Sequence, residues 1–279
     1  MKRFLIAPDS FKGTMAADEV CAIIADAIRA HIPDAAIREI PLSDGGEGLV
    51  ACFSRLRPLQ MAEATVSDIF GRPVVAQYGR LGEDGAVMEM ASCAGLHFAK
   101  NCKEPLRANT YGVGELILHA AQNGAKHITL GIGGSATTDC GIGMAAALGY
   151  SFFDEEGSPL EPLPLNMARV AKIQKPDALP DISVEIACDV SNPLYGENGA
   201  AYVFGPQKGA DAHTVRLLDQ GLRRMSDSME RDLAVRVRDV PGAGAAGGLG
   251  AALIAFLGAR LRPGIDLLLD AAEFDELLN

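Results

Sequence analysis

Two opposite charges, Asp9 and Lys12, stand three residues apart in APDSFKGTMAADE (7–19), with hydroxyls at Ser10 and Thr14 and a glycine at Gly13. A lysine in such a loop can neutralise a carboxylate or a transferring phosphoryl group; a capped turn with a surface ion pair is the alternative. PLSDGGEG (41–48) sets Asp44 and Glu47 around two glycines, a pattern suited to a metal ligand or a catalytic carboxylate. ACDVSNPLYGENGAAYVFGPQKGA (187–210) opens with Asp189 at a strand end and carries Asn192, Gln207 and Lys208. A strand-terminal aspartate can act as a base or hold a metal, and an Asx-turn is its structural counterpart.

The central stretch GIGGSATTDCGIGM (131–144) follows the apolar run HITL and admits three readings. GIGGSA fits the dinucleotide pattern G-x-G-x-x-G/A, with Asp154 about twenty residues on as a ribose-binding acid. Against this, the polar run SATTD occupies the expected helix start, and Asp139 would face a pyrophosphate unfavourably without a metal. A phosphate loop fits better: the N–H groups of Gly133 and Gly134 attract anions, and Ser135 and Thr137 add donors. No lysine follows at the P-loop spacing. Close backbone packing with a helix cap is the third reading. PGAGAAGGLG (241–250) is likewise either an anion cradle, through Gly244 and Gly247, or a packing point. His31, His97, His119, His127 and His213 show no metal-ligand spacing.

These loops need elements to hold them. RFLIAP and AAIREIP read as strands flanking a helix over 18–30, whose Val20, Ile23, Ile24, Ala27 and Ile28 share one face. This is the opening of an α/β domain. From about residue 61 the pattern shifts to short alternating runs, PVVAQYG and GAVMEMA. A helix over 111–124, the strand HITLGI, a small-residue helix to about residue 149 and the strand YSFF follow. Residues 155–181 contain five prolines and read as an extended excursion; DISVEIACDV is a strand, 211–234 a long amphipathic helix and AALIAFLGA an apolar one. Two opening strands alone make too small a sheet: either later strands join it or the chain stops early, and the second is expected, with the first domain needing strands that this chain lacks.

The chain has 279 residues, 48% hydrophobic and 22% charged, an ordinary globular profile. Its net charge of −11 argues against nucleic-acid binding, while local lysines and backbone N–H groups still allow a small anionic ligand. Six cysteines at wide, irregular spacings read as reduced thiols. The short apolar start is no signal peptide, and no run reaches membrane-spanning length. A cytoplasmic protein acting on a small molecule, as a monomer or homodimer without membrane contact, is expected.

Taken together, DSFKG (9–13), SDGGEG (43–48), GIGGSATTDCGIGM, CDVSNPLYGENGAAYVFGPQKGA and PGAGAAGGLG resemble, in order, the signature blocks of the bacterial glycerate kinase family. Two positions depart from it: Cys140 and Leu49 stand where the family usually has Gly and often has Thr. A position that demands positive φ would make Cys140 costly. The resemblance implies an ATP- and Mg²⁺-dependent kinase phosphorylating D-glycerate, with 2-phosphoglycerate as the expected product. It also implies an α/β fold of two domains, a flavodoxin-like (Rossmann-like) parallel-sheet domain interrupted by an inserted α/β domain, with the site between them. The expected division is 1–62, 63–240 for the insert, and 241–279 returning to a first domain whose C-terminal part is missing. On this resemblance Lys12 and Asp189 are the expected catalytic residues, and Asp9, Ser10, Asn192 and Lys208 bind substrate. Gly133, Gly134, Ser135, Thr137, Gly244 and Gly247 hold the nucleotide, and Asp44, Glu47 and Asp139 the metal. An NAD(P)-dependent hydroxy-acid oxidoreductase and a non-catalytic anion-binding protein are the competing functions.

Overall fold

The computed structural model describes residues 2–11, 14–42 and 48–277, so Lys12, Asp44 and Glu47 lie outside the described residues. The chain opens with β1 (Arg3–Ile6), the helix Ala17–His31 and β2 (Ala36–Glu39), a right-length crossover between two parallel strands. Cys21 and Ala25 bury one helix stripe against Ile6. The helix start is closed by Glu19, whose carboxylate accepts from the Ala16 N–H at 3.0 Å, satisfying one donor that the first turn leaves over.

The larger unit is a six-stranded mixed sheet. Its strands are β3 (Leu59–Ser67), β4 (Pro73–Leu81), β5 (Gly85–Glu89), β6 (His127–Gly131), β9 (Ser183–Ala187) and β10 (Arg260–Arg262), ordered β10-β9-β6-β5-β4-β3. Strands β5, β6, β9 and β10 run parallel; β4 and β3 form an antiparallel hairpin at one edge. Between β6 and β9 the chain makes a small hairpin of β7 (Ser151–Phe153) and β8 (Lys172–Gln174). The register places Glu89 beside Gly131, Gly131 beside Ala187 and Ala187 beside Arg262. The carboxyl ends of four parallel strands are therefore level, at the edge where open α/β sheets collect ligands.

Period-two alternation sends β5 to two cores. Ala86 and Met88 face the main one, with Ile128, Leu130 and Ile186; Val87 faces a smaller one with Leu49, Phe53, Ala187, Leu267 and Leu268. The helices Leu49–Leu56 and Gly264–Ala271 thus cover one face of the sheet, and Tyr111–Gln122, Ile142–Ala147 and Ala245–Leu257 supply the other. Both faces are buried, as parallel strands require. Gly114 lets two of these helices approach closely: a Cβ there would stand 2.5 Å from the Met144 carbonyl.

Several elements differ from their sequence expectation. The proline-rich excursion contains β8, which pairs with the expected strand β7. The loop 187–210 folds a short helix, Ala200–Phe204, and a 3₁₀ turn, Pro206–Lys208. PGAGAAGGLG is drawn into the helix Ala245–Leu257, with a left-handed break at Ala246, Gly247 and Gly248. Strand β3 pairs with β4 along its whole length. The only strand of 241–279 among the described residues, β10, joins β9, so that β1 and β2 stay a pair. Among the described residues no helix is long and apolar enough to cross a membrane.

Candidate active site

A cleft of about 610 Å³ opens at the level strand ends. Ser10 and Phe11 enter it from the loop after β1, Gly133, Gly134 and Ser135 from the turn after β6, and Cys188 and Asp189 from the end of β9. Gln207 and Lys208 come from the 3₁₀ turn, and Ala245 and Ala246 from the start of the helix Ala245–Leu257, where the left-handed break begins. Segments far apart in sequence meet here, two of them carried by the neighbouring strands β6 and β9.

Lys208 is the buried charge of the cleft, 3% exposed. Its Nζ donates to Ser135 Oγ at 2.7 Å and to the Thr137 carbonyl at 2.6 Å. Burial lowers its pKa to about 7; the Asp139 charge opposes that shift. Asp189 lines the cleft at the sheet edge, and its Oδ1 accepts from the Gly264 N–H at 3.1 Å. That bond ties the residue to the first turn of the helix Gly264–Ala271, where the backbone dipole favours a carboxylate.

Asp139 has a different setting. It is fully buried and does not line the cleft. One carboxylate oxygen accepts from the Thr110 N–H at 2.8 Å, the Thr110 hydroxyl at 2.7 Å and the Gly143 N–H at 3.2 Å; the other accepts from the Gly141 N–H at 3.1 Å. The Thr110 hydroxyl in turn accepts from the Met144 N–H at 3.0 Å. Burial raises the Asp139 pKa against the opposing pull of these bonds. The carboxylate organises the turn into the helix Ile142–Ala147, which is the cap reading of this residue.

The glycines divide in the same way. Gly133 and Gly134 line the cleft, and Gly134 sits at φ +68, a conformation glycine adopts without penalty. Gly244 and Gly247 do not line it; a Cβ would stand 2.2 Å from the Pro193 carbonyl at the first and 2.1 Å from the Thr137 carbonyl at the second. Both pack closely against neighbouring backbone, and their neighbours Ala245 and Ala246 line the cleft. Thr137 is fully buried, offering its carbonyl to Lys208 while its hydroxyl has no partner. Asn192 lies off the cleft, donating to the Asn198 carbonyl at 2.9 Å. Asp9 is exposed and turns back to accept from the Ser10 N–H at 2.6 Å. Asp154, the acid of the dinucleotide reading, is held by Ser158 and Arg169 beside the small hairpin. Among the described residues no three His, Cys, Asp or Glu side chains gather as a metal site.

Cys140 does occupy a left-handed position, with φ 49. Its N–H donates to the Gly247 carbonyl at 3.0 Å, and its thiol is wholly buried. Three contributors were not anticipated. Leu96 lines the cleft from a segment with no motif, and Thr110 braces Asp139. Glu89 accepts from the Gly48 N–H at 2.6 Å and the Leu49 N–H at 3.2 Å, capping the helix Leu49–Leu56. Glu89 ends a strand as Asp189 nearly does, which is the signal that would have found it; Leu96 and Thr110 gave none.

The glycerate kinase family model matches residues 4–279. Glycerate kinase of Halalkalibacterium halodurans is 44% identical over 284 residues, spanning 100% of this chain and 75% of that protein. Glycerate 2-kinase of Escherichia coli is 42% identical over 282 residues, spanning 99% and 74%. A Salmonella typhimurium LT2 crystal structure assigned to glycerate kinase 2 is similar at a TM-score of 0.90 and 41% identity, covering 99% of this chain and 75% of that one.

Proposed function

The chain belongs to the glycerate kinase family, and from that premise we propose that it transfers the γ-phosphoryl group of ATP to a hydroxyl of D-glycerate, giving 2-phosphoglycerate. The observation that carries this reading is the convergence of a glycine turn, a buried lysine and a strand-end aspartate in one cleft. Phosphoryl transfer asks the protein mainly to position its reactants and to offset charge. Glycerate brings one carboxylate and two hydroxyls. Asp189 orients the attacking hydroxyl and accepts its proton. Ser10 contacts the acid, with Asp9 shaping the loop that presents it. Lys12 is assigned to the charge of the carboxylate or phosphoryl group, following the DSFKG resemblance.

The residues present fit a nucleotide phosphate: Gly134 in its left-handed turn leaves room for backbone approach, and Ser135 and Lys208 bring donors. Gly133, Gly134 and Ser135 would hold the phosphates of ATP, which supplies the group transferred. Mg²⁺ would neutralise phosphate charge. Asp44 and Glu47 remain the candidates to hold it, whereas the bonds of Asp139 favour a bracing role. The β1–β2 unit and the six-stranded unit are read as two lobes with the cleft between them.

Glycerate-dependent release of ADP tests the activity, and phosphorus NMR of the product distinguishes phosphorylation at the 2- from the 3-hydroxyl. Asp189→Asn should lower kcat/KM by about 10²–10⁴-fold with the circular dichroism spectrum unchanged. Wild-type turnover in that variant removes Asp189 from the chemistry; no phosphorylated product removes the whole reading.

A further inference from the structure

Lys208 stands in an unusual electrostatic position. Both hydrogen-bond partners of its Nζ, Ser135 Oγ and the Thr137 carbonyl, are neutral. A buried ammonium is stable only when its charge is paired. Among the described residues none forms an ion pair with it. Asp139 acts on it through space, but that carboxylate is already engaged by Thr110, Gly141 and Gly143. An ammonium has three donors, and two are used. The third is left for whatever enters the cleft.

We propose that Lys208 is the oxyanion receptor of the cleft and that it takes up a proton as the anion binds, the ligand supplying the counter-charge that the protein omits. The inference rests on the reading of the cleft as a site for anionic substrates. The balance is simple: a neutral amine, one proton from solvent and one oxyanion give an ammonium–oxyanion pair. The oxyanion is a carboxylate or a phosphate oxygen, and a neutral polyol of the same size lacks it.

The groups around Lys208 set the pH range. Asp139 comes from the turn after β6, Cys188 and Asp189 from the end of β9, and Lys103 packs on the adjacent Gly209. The Asp139 carboxylate favours the ammonium. Burial outweighs it and lowers the value to about 7. Below that pH the free protein already carries the charge and binding takes up no proton. Above it uptake rises towards one proton, and affinity falls by up to about tenfold per pH unit.

Calorimetry of the full chain with D-glycerate alone, and separately with ADP alone, in two buffers of different ionisation enthalpy counts the protons directly. The expected result is little uptake at pH 6 and about one proton at pH 8.5 with the ligand that meets Lys208. The arm that shows it identifies the oxyanion as carboxylate or phosphate. Lys208→Arg, permanently charged, should bind without proton uptake. Buffer-independent heats with both ligands at pH 8.5 overturn the proposal, as does undiminished uptake in Lys208→Gln. The wild-type pH series stands even where a variant fails to fold. Turnover without uptake refutes the receptor and leaves the kinase reading; uptake without ADP formation in the assay does the reverse.

Discussion

At the residue scale, the cleft depends on two buried charges with opposite assignments. Lys208 has a folded value of about 7, below the ordinary lysine value of 10.5. Between those values the unfolded chain holds the proton and the folded chain does not, so stability rises with pH across that window, by up to about 1.4 kcal/mol per pH unit. Lys208→Met lacks that slope. Its advantage over wild type in urea midpoint should be greatest near pH 7 and shrink towards pH 10. Asp139→Asn should cost about 2–4 kcal/mol, because an amide NH₂ would face N–H donors that now meet a carboxylate. Urea titration checks the value, and a loss below about 0.5 kcal/mol would contradict the bracing role. The sequence exposed Asp139 as a residue of consequence but not which consequence. Pattern records that a carboxylate follows a glycine turn; it does not record that Thr110, from another segment, closes over it.

At the element scale, positive φ separates the tolerant positions from the intolerant ones. Ala234 ends the helix Ala212–Leu233 at φ 57 and is exposed. Ala234→Gly should stabilise by about 0.5–1 kcal/mol, read as a melting temperature higher by about 2 °C. Gly247 is the opposite case, with φ +70 and the Thr137 carbonyl 2.1 Å from an added Cβ. Gly247→Ala should cost more than about 3 kcal/mol and weaken ligand binding as well, since Thr137 carries Lys208. The long amphipathic helix, the first crossover and the parallel strands were legible because each has one buried face and a clear period. Strand β10 was not. Its three residues, Arg260–Arg262, are alternately charged and gain their identity only by lying beside β9. The same holds for the short helix Ala200–Phe204, too brief for periodicity to show.

At the scale of the whole molecule, a net charge of −11 opposes the approach of the anionic substrates proposed above. The surface charge is screened by salt, and the buried Lys208 much less so. KM for both substrates should therefore fall, on the order of twofold, as KCl rises from about 10 to about 150 mM. A KM that rises with salt would mean that exposed attractions dominate. Composition gave this balance directly, because net charge needs no fold, whereas the path of 241–279 needed the sheet.

The clasp between Cys140 and Gly247 has a consequence for how the protein is made. The turn after β6 is closed by the backbone of a segment far along the chain, through the Cys140 N–H and the Gly247 carbonyl. During synthesis that turn emerges early and waits for the left-handed break to follow it. A nascent chain halted before residue 240 would hold the early strands of the sheet without the clasp that finishes the cleft. Ligand binding then waits for the segment that carries Gly247, and a substrate present in the cell would stabilise only chains that have passed that point.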